Sequence, residues 1–175
     1  MFAIALATNS VIAFERPRGG PDGIYMHYFD ANGTASAIHL NSISNAPPYV
    51  PSESSTIESH RRRGTGTVFC SNGSAGPAFG PPSDFQGATE ALANWFGNGR
   101  AFFGPCVSAY VGEAVAYGCN YGIGQTYTAT QVWSDMTLVN NTCPPVGSVV
   151  GWVDHPEWQS AYGREVSSQS FCHRG

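Results

Sequence analysis

The sequence predicts an α+β fold, a two-layer α/β sandwich that combines two helices with an antiparallel sheet and is preceded by an N-terminal hairpin segment. Three observations lead to this prediction. Two stretches carry apolar residues at the spacing of a helix face, and short runs typical of strands lie on both sides of them. The chain of 175 residues also contains 21 glycines and 12 prolines, which favours many turns.

The hairpin is predicted over residues 23–40, where Asn32-Gly33 is a strong turn signal between two apolar runs. After residue 63 the predicted order of elements is β-α-β-β-α-β-β. The strands of that order are expected at residues 67–70, 106–111, 113–121, 148–153 and 165–172, with residues 154–164 as a loop between the last two.

Both helices are predicted from an apolar face that follows a capping box. Ser83 and Gln86 have the spacing of such a box before the first helix, and Thr128 and Gln131 have it before the second. The apolar faces are Ala88, Ala91, Leu92, Trp95 and Phe96 in the first helix and Ala129, Val132, Trp133, Met136 and Val139 in the second.

The chain divides at Arg61, Arg62 and Arg63, a triplet inside a polar stretch rich in Ser, Pro and Glu. Such a stretch is exposed and easily cut, so the triplet predicts a dibasic processing site, with a solvated basic loop as the alternative. We therefore expect a pro-segment at residues 14–63 and a disulfide-stabilised α/β domain at residues 64–175. The apolar residues 1–13 predict the remnant of a signal peptide, with an apolar first strand as the alternative.

The cysteines predict an oxidising compartment. Their spacing contains no Cys-x-x-Cys and no zinc pattern, so we expect neither a metal nor another cofactor. Two disulfides and one unpaired thiol fit a secreted domain, as a monomer or as a dimer through the unpaired cysteine. The pairing remains open among five residues that all follow the arginine triplet: Cys70, Cys106, Cys119, Cys143 and Cys172.

The charge excludes some partners. The eight basic residues are all arginine, and twelve acidic residues bring the net charge to −4. Proteins that bind duplex nucleic acid carry a clustered basic face, so this class is not expected. No apolar run reaches the roughly 18 residues that span a bilayer. The expected partner is an extracellular protein or glycan, and glycosylation sequons occur at Asn32, Asn72 and Asn140.

Two stretches resemble a known group of proteins. Residues 114–121 read AVAYGCNY, and the end of the chain carries Gly151-Trp152-Val153, Tyr162-Gly163-Arg164 and Phe171-Cys172. Both are similar to recurring stretches of small fungal secreted proteins of the killer-toxin-like and effector-like α/β sandwiches. The resemblance covers roughly residues 67–172. It implies a signal peptide, dibasic processing and an extracellular role in antagonism or host interaction.

Candidate chemistry is sparse. Asp154, His155 and Glu157 form a polar cluster that offers acid and base groups, although sequence neighbours need not face a common point. His27 and His155, with Glu53 or Glu58 and the arginine triplet, match the residue types of a guanyl-specific ribonuclease. Trp152, Trp158 and Tyr162 form a candidate stacking platform for sugars, with core packing as the alternative.

These observations favour a non-catalytic, toxin-like or effector-like protein that is secreted and binds an external target. The alternatives are a small secreted hydrolase, either ribonuclease-like or glycan-active, and a module that binds cell-wall glycans.

Overall fold

The computed structural model describes residues 13–40, 66–71, 80–122, 124–143 and 150–172. Within them the helices are α1 (Pro82–Phe96) and α2 (Ala129–Thr142). The strands are β1 (Gly23–Phe29), β2 (Ala35–His39), β3 (Thr67–Cys70), β4 (Arg100–Phe102), β5 (Cys106–Val111), β6 (Ala114–Asn120), β7 (Gln125–Tyr127), β8 (Gly151–His155) and β9 (Ser160–Val166).

Seven of these strands form one sheet in the order β2-β1-β5-β6-β9-β8-β3, and every neighbouring pair is antiparallel. β4 and β7 pair with each other in a separate two-stranded sheet. Two helices and a large antiparallel sheet confirm the predicted α+β class. β4 and β7 were not predicted, because three residues are too few to show a strand pattern.

The end of the sheet differs from the prediction. β8 continues to His155, a 3-10 turn at Pro156–Trp158 follows, and Gln159 takes a left-handed φ of 50°. The chain then returns at once as β9, so residues expected in a loop lie in paired strands. β9 is buried on both faces and therefore lacks the polar–apolar alternation that marks a half-buried strand.

The two helices begin differently. α2 has the predicted capping box, in which the Thr128 hydroxyl accepts a hydrogen bond from the backbone N–H of Gln131. α1 instead begins at Pro82, and its N-cap residue Pro81 makes no side-chain capping bond. Proline suits the first turn because it lacks the N–H that would be unsatisfied there. No helix in the described part of the chain is both long and apolar enough to cross a bilayer.

The two faces of the large sheet bury different groups. Both helices pack on one, which we call the helix face, and its core includes Leu92, Phe96, Val107, Met136 and Tyr162. On the other, which we call the terminal face, the segments before β1 and after β9 meet in a bridge between Phe14 and Phe171. The core of the terminal face includes Tyr25, Tyr110, Val115, Tyr117 and Phe171.

The N-terminal hairpin is a part of this sheet. β1 lies between β2 and β5, and its Tyr25 and His27 are buried on the terminal face. Residues 41–65, which include Arg61, Arg62 and Arg63, lie outside the described residues, as do residues 1–12. Cleavage after Arg63, the bounds of a pro-segment and the signal remnant therefore stay predictions.

Two disulfides are formed, as the cysteine count predicts. Cys70–Cys143 joins β3 to the residue after α2, and Cys119–Cys172 joins β6 to the C-terminal segment. Cys106 is unpaired and fully buried, and burial raises the pKa of its thiol well above the usual range. A dimer linked through Cys106 would require this sulfur to reach the surface.

Candidate ligand-binding site

A pocket opens on the terminal face beside β9. Along this strand Arg164 points to the helix face, where it bonds to Asn140 of α2, and Glu165 points to the terminal face opposite Val115 of β6. The pocket has a volume of about 230 Å³. We call it the Glu165 pocket, and its lining includes Ser71, Tyr117, Tyr121, Trp152, Glu165 and Gln169.

Glu165 is the acidic group of this pocket. Its side chain is held by hydrogen bonds from the Ser71 hydroxyl and the backbone of Val166, and the residue is only 7% exposed. Burial raises the pKa of the Glu165 carboxyl to about 7, because desolvation penalises the charged form more than the two hydrogen bonds favour it. This carboxyl therefore changes its charge near neutral pH.

Aromatic rings form the walls. The Tyr117 ring stacks on Phe171 with centroids 4.7 Å apart, and the Trp152 ring stacks on Phe69 at 5.4 Å. Glycine at position 163 lets the Tyr117 hydroxyl approach the strand, since a Cβ there would lie 2.7 Å from that oxygen. Phe69 is 43% exposed, so the aromatic surface continues from the pocket to the outside.

A second pocket adjoins the first. It has a volume of about 260 Å³, and Tyr121 and Cys172 line both pockets. We call it the Phe103 pocket, after a side chain that is 79% exposed, and its other lining residues include Phe14, Phe29, Pro105 and Asn120. Together the two pockets form a groove, with the Glu165 carboxyl at one end and the rings of Phe14, Phe29 and Phe103 at the other.

The groove offers binding groups more readily than catalytic ones. Glu165 is the one carboxylate that lines either pocket among the described residues, whereas glycoside hydrolysis uses a pair of carboxyl groups roughly 5–10 Å apart. Asp154 shares the terminal face but lies several residues along β8 from the position opposite Glu165. In the part of the chain that is described, no cluster of three or more metal-ligating side chains occurs.

His27 belongs to the core. Its Nε2 lies 2.7 Å from the Ser108 hydroxyl, and its ring lies against those of Phe14 and Phe171. Burial lowers the pKa of His27 to about 4, so the imidazole is neutral at ordinary pH. The structure gives it a packing and hydrogen-bonding position in the sheet.

The polar cluster at residues 154–157 does not converge. His155 points to the helix face, where its Nε2 bonds to Asp135 of α2 at 2.8 Å and its ring stacks on Trp158. Asp154 points to the terminal face and Glu157 is exposed. Asp135 also accepts a hydrogen bond from Tyr127, and this buried network ties α2 to the sheet.

The ribonuclease residue set is not assembled among the described residues. His27 and His155 lie on opposite faces of the sheet, and three strands separate β1 from β8. Glu53, Glu58 and the arginine triplet lie outside the described residues.

The three residues of the predicted stacking platform also separate. Tyr162 is fully buried and stacks on Tyr127 at 3.5 Å, and Trp158 packs beside the helix-face core. Trp152 lies on the terminal face, where it lines the Glu165 pocket. One of the three aromatic residues therefore lies at the groove.

Two of the three sequons fall on described residues. Asn32 is exposed in the turn between β1 and β2, and Asn140 is exposed near the end of α2. Asn72 lies outside the described residues, and glycosylation at all three stays a prediction.

Glu165, Tyr117, Ser71 and Gln169 were not singled out from the sequence. Their side chains meet only through the pairing of β9 with β6 and the return of the C-terminal segment, which no local pattern reports. No local signal marks Glu165, because a glutamate in a strand-forming run ordinarily faces solvent.

Comparisons of this chain with protein-family models, with curated proteins and with solved structures gave no match.

Proposed function

We propose that this protein is secreted and acts outside the cell as a toxin-like or effector-like protein that binds its target without catalysis. The observation that carries the proposal is the groove on the terminal face, in which an acidic pocket and an apolar pocket share Tyr121 and Cys172. Mostly apolar concavities with few polar groups are the usual form of binding sites.

Several features support this proposal over a hydrolase. The groove presents one carboxylate among the described residues, and the two histidines point to opposite faces, so the acid–base pairs of ribonucleases and glycosidases are missing there. Two disulfides favour an oxidising compartment. The resemblance of residues 114–121 and of the chain end supports the two-layer sandwich of killer-toxin-like and effector-like proteins as its architecture.

Binding to intact cells tests the proposal. Fluorescently labelled protein is titrated onto intact yeast and plant cells, and saturable binding is expected on at least one of them. Phe103→Ser removes an exposed groove ring, so it should weaken that binding about tenfold while leaving the fold intact. Leu138→Ser is the matched control, because Leu138 is 39% exposed on α2, which packs on the helix face.

The absence of saturable binding on both cell types would overturn the proposal, as would an equal loss of binding in Leu138→Ser. Incubation of the wild-type protein with RNA and with chitin and glucan oligosaccharides separates the hydrolase alternatives. Turnover that disappears in His27→Gln, His155→Gln or Glu165→Gln would replace binding with catalysis as the function.

A further inference from the structure

No ion pair between described residues involves the carboxyl group of the Glu165 pocket. Of the four described arginines, Arg16 pairs with Asp22, Arg100 lies over the Trp95 ring, Arg164 bonds to Asn140, and Arg18 is exposed in the turn before β1. The groups that hold Glu165 are a hydroxyl and a backbone amide, which satisfy its hydrogen bonding and leave the charge uncompensated.

The walls of the pocket suit a cation. Trp152, Tyr117 and Tyr121 line the pocket together with Glu165, and the faces of such rings attract ammonium and guanidinium groups. A guanidinium would also make charge-assisted hydrogen bonds to the carboxylate. An anionic ligand would be repelled by the carboxylate, whereas a neutral ligand leaves the carboxyl free to take up a proton, so the preference for a cation grows as Glu165 ionises.

We infer that the Glu165 pocket receives a basic side chain of the target, an arginine or a lysine, while the adjoining Phe103 pocket receives an apolar neighbour of that residue. This inference rests on the proposed function and names the chemistry that the groove recognises. The net charge of −4 and the absence of lysine agree with a basic partner. The occupant is therefore a peptide segment that contains a basic residue beside an apolar one.

Such binding is coupled to a proton. Because burial raises the pKa of Glu165 to about 7, a cation that needs the carboxylate form displaces a proton at or below neutral pH. Within the described part of the chain, the titratable groups on the Glu165 side of the sheet at this pocket are Tyr117 and, beyond it, Tyr121, and burial raises the pKa of Tyr117 well above its usual range. Arg164, the neighbour of Glu165 in the sequence, faces the helices. Affinity for a cation should thus follow the ionisation of Glu165.

The experiment compares two dipeptides of nearly equal shape, in which the charged guanidinium of one is replaced by a neutral urea group in the other. Acetyl-Arg-Phe-amide and acetyl-citrulline-Phe-amide are titrated into the full chain, and the side-chain carboxyl carbons of ¹³C-labelled glutamate are followed by NMR from pH 5 to pH 8. In the free protein the Glu165 signal should titrate near pH 7, and the arginine peptide should move this titration to lower pH. The arginine peptide should bind at least tenfold more tightly at pH 8 than at pH 5.5.

Glu165→Gln retains the size of the side chain and one acceptor oxygen without the charge, so it should abolish the preference for arginine over citrulline. Arg174→Gln, outside the described residues, is expected to bind the arginine peptide as the wild type does. Equal binding of the two dipeptides to the wild type would overturn the inference. So would an undiminished arginine preference in Glu165→Gln, or arginine binding that occurs in Arg174→Gln alone.

Failure here is distinguishable from failure of the proposed function. If labelled protein binds cells and Phe103→Ser weakens that binding, while the arginine peptide shows no advantage, the groove binds a target of another charge. If the labelled protein binds neither cell type, the proposed function itself is wrong.

Discussion

Two buried titratable residues on the terminal face affect stability in opposite directions. Glu165 holds its proton more tightly in the folded chain, since burial raises its pKa from 4.5 to about 7. His27 holds its proton less tightly, since burial lowers its pKa from 6.5 to about 4. Between pH 4.5 and 7 the folded state binds more protons at Glu165 than the unfolded state does, so this residue lowers the free energy of unfolding as pH rises.

His27 does the reverse. Its folded state binds fewer protons between pH 6.5 and 4, so its contribution to the free energy of unfolding is present above pH 6.5 and is lost as pH falls through that window. Across its full pH window, each pKa shift changes the free energy of unfolding by about 3 kcal/mol. Because the windows overlap, the two contributions largely offset each other between pH 4 and 8.

Single substitutions should separate these contributions. Glu165→Gln removes the group that destabilises the folded chain at high pH. We therefore expect the free energy of unfolding of this variant, relative to that of the wild type, to rise from pH 5 to pH 8. His27→Gln removes the group that destabilises the folded chain at low pH. Its free energy of unfolding, relative to that of the wild type, should therefore fall from pH 5 to pH 8. Urea unfolding of the three proteins at pH 5 and pH 8 measures both effects. Parallel pH profiles for all three would show that neither shift exists.

At the scale of elements, the two helix starts look alike in sequence but differ in structure. Thr128 accepts a hydrogen bond from the Gln131 backbone, whereas the residues around Ser83 make no side-chain capping bond at Pro81. Thr128→Ala should therefore lower the free energy of unfolding by about 1 kcal/mol, and Ser83→Ala by a few tenths at most. Midpoints of guanidinium unfolding compare the two. Equal losses would mean that α1 is capped by Ser83 after all.

Local residue patterns predict some strands of this sheet and miss others. The strands at Thr67–Cys70 and Cys106–Val111 were predicted with their observed bounds, because each is a short apolar run between turn residues. β9 was placed several residues too late, since a strand buried on both faces carries no alternation. Strand register also decides the candidate site: Glu165 reaches a pocket only because β9 pairs with β6 and the C-terminal segment returns over that face.

At the scale of the whole molecule, the sheet determines whether the N-terminal segment stays bound after cleavage at the arginine triplet. Both disulfides lie within residues 64–175, so no covalent bond would hold residues 14–63 once the chain is cut after Arg63. Non-covalent contacts remain strong. β1 is paired with β5 along five residues, and Phe14, Tyr25 and His27 are buried against the terminal-face core.

We therefore expect the cut protein to remain one particle. After digestion with a dibasic-specific protease, the two fragments should elute together in gel filtration under native conditions and separate in 6 M guanidinium chloride. Removing the hairpin would expose the edge of β5 and several buried rings at once, which the remaining core could not offset. An uncut Arg63→Ala variant is the control for elution volume. If residues 64–175 elute alone under native conditions and keep their fold, the hairpin is a dispensable pro-segment and its place in the sheet belongs to the precursor only.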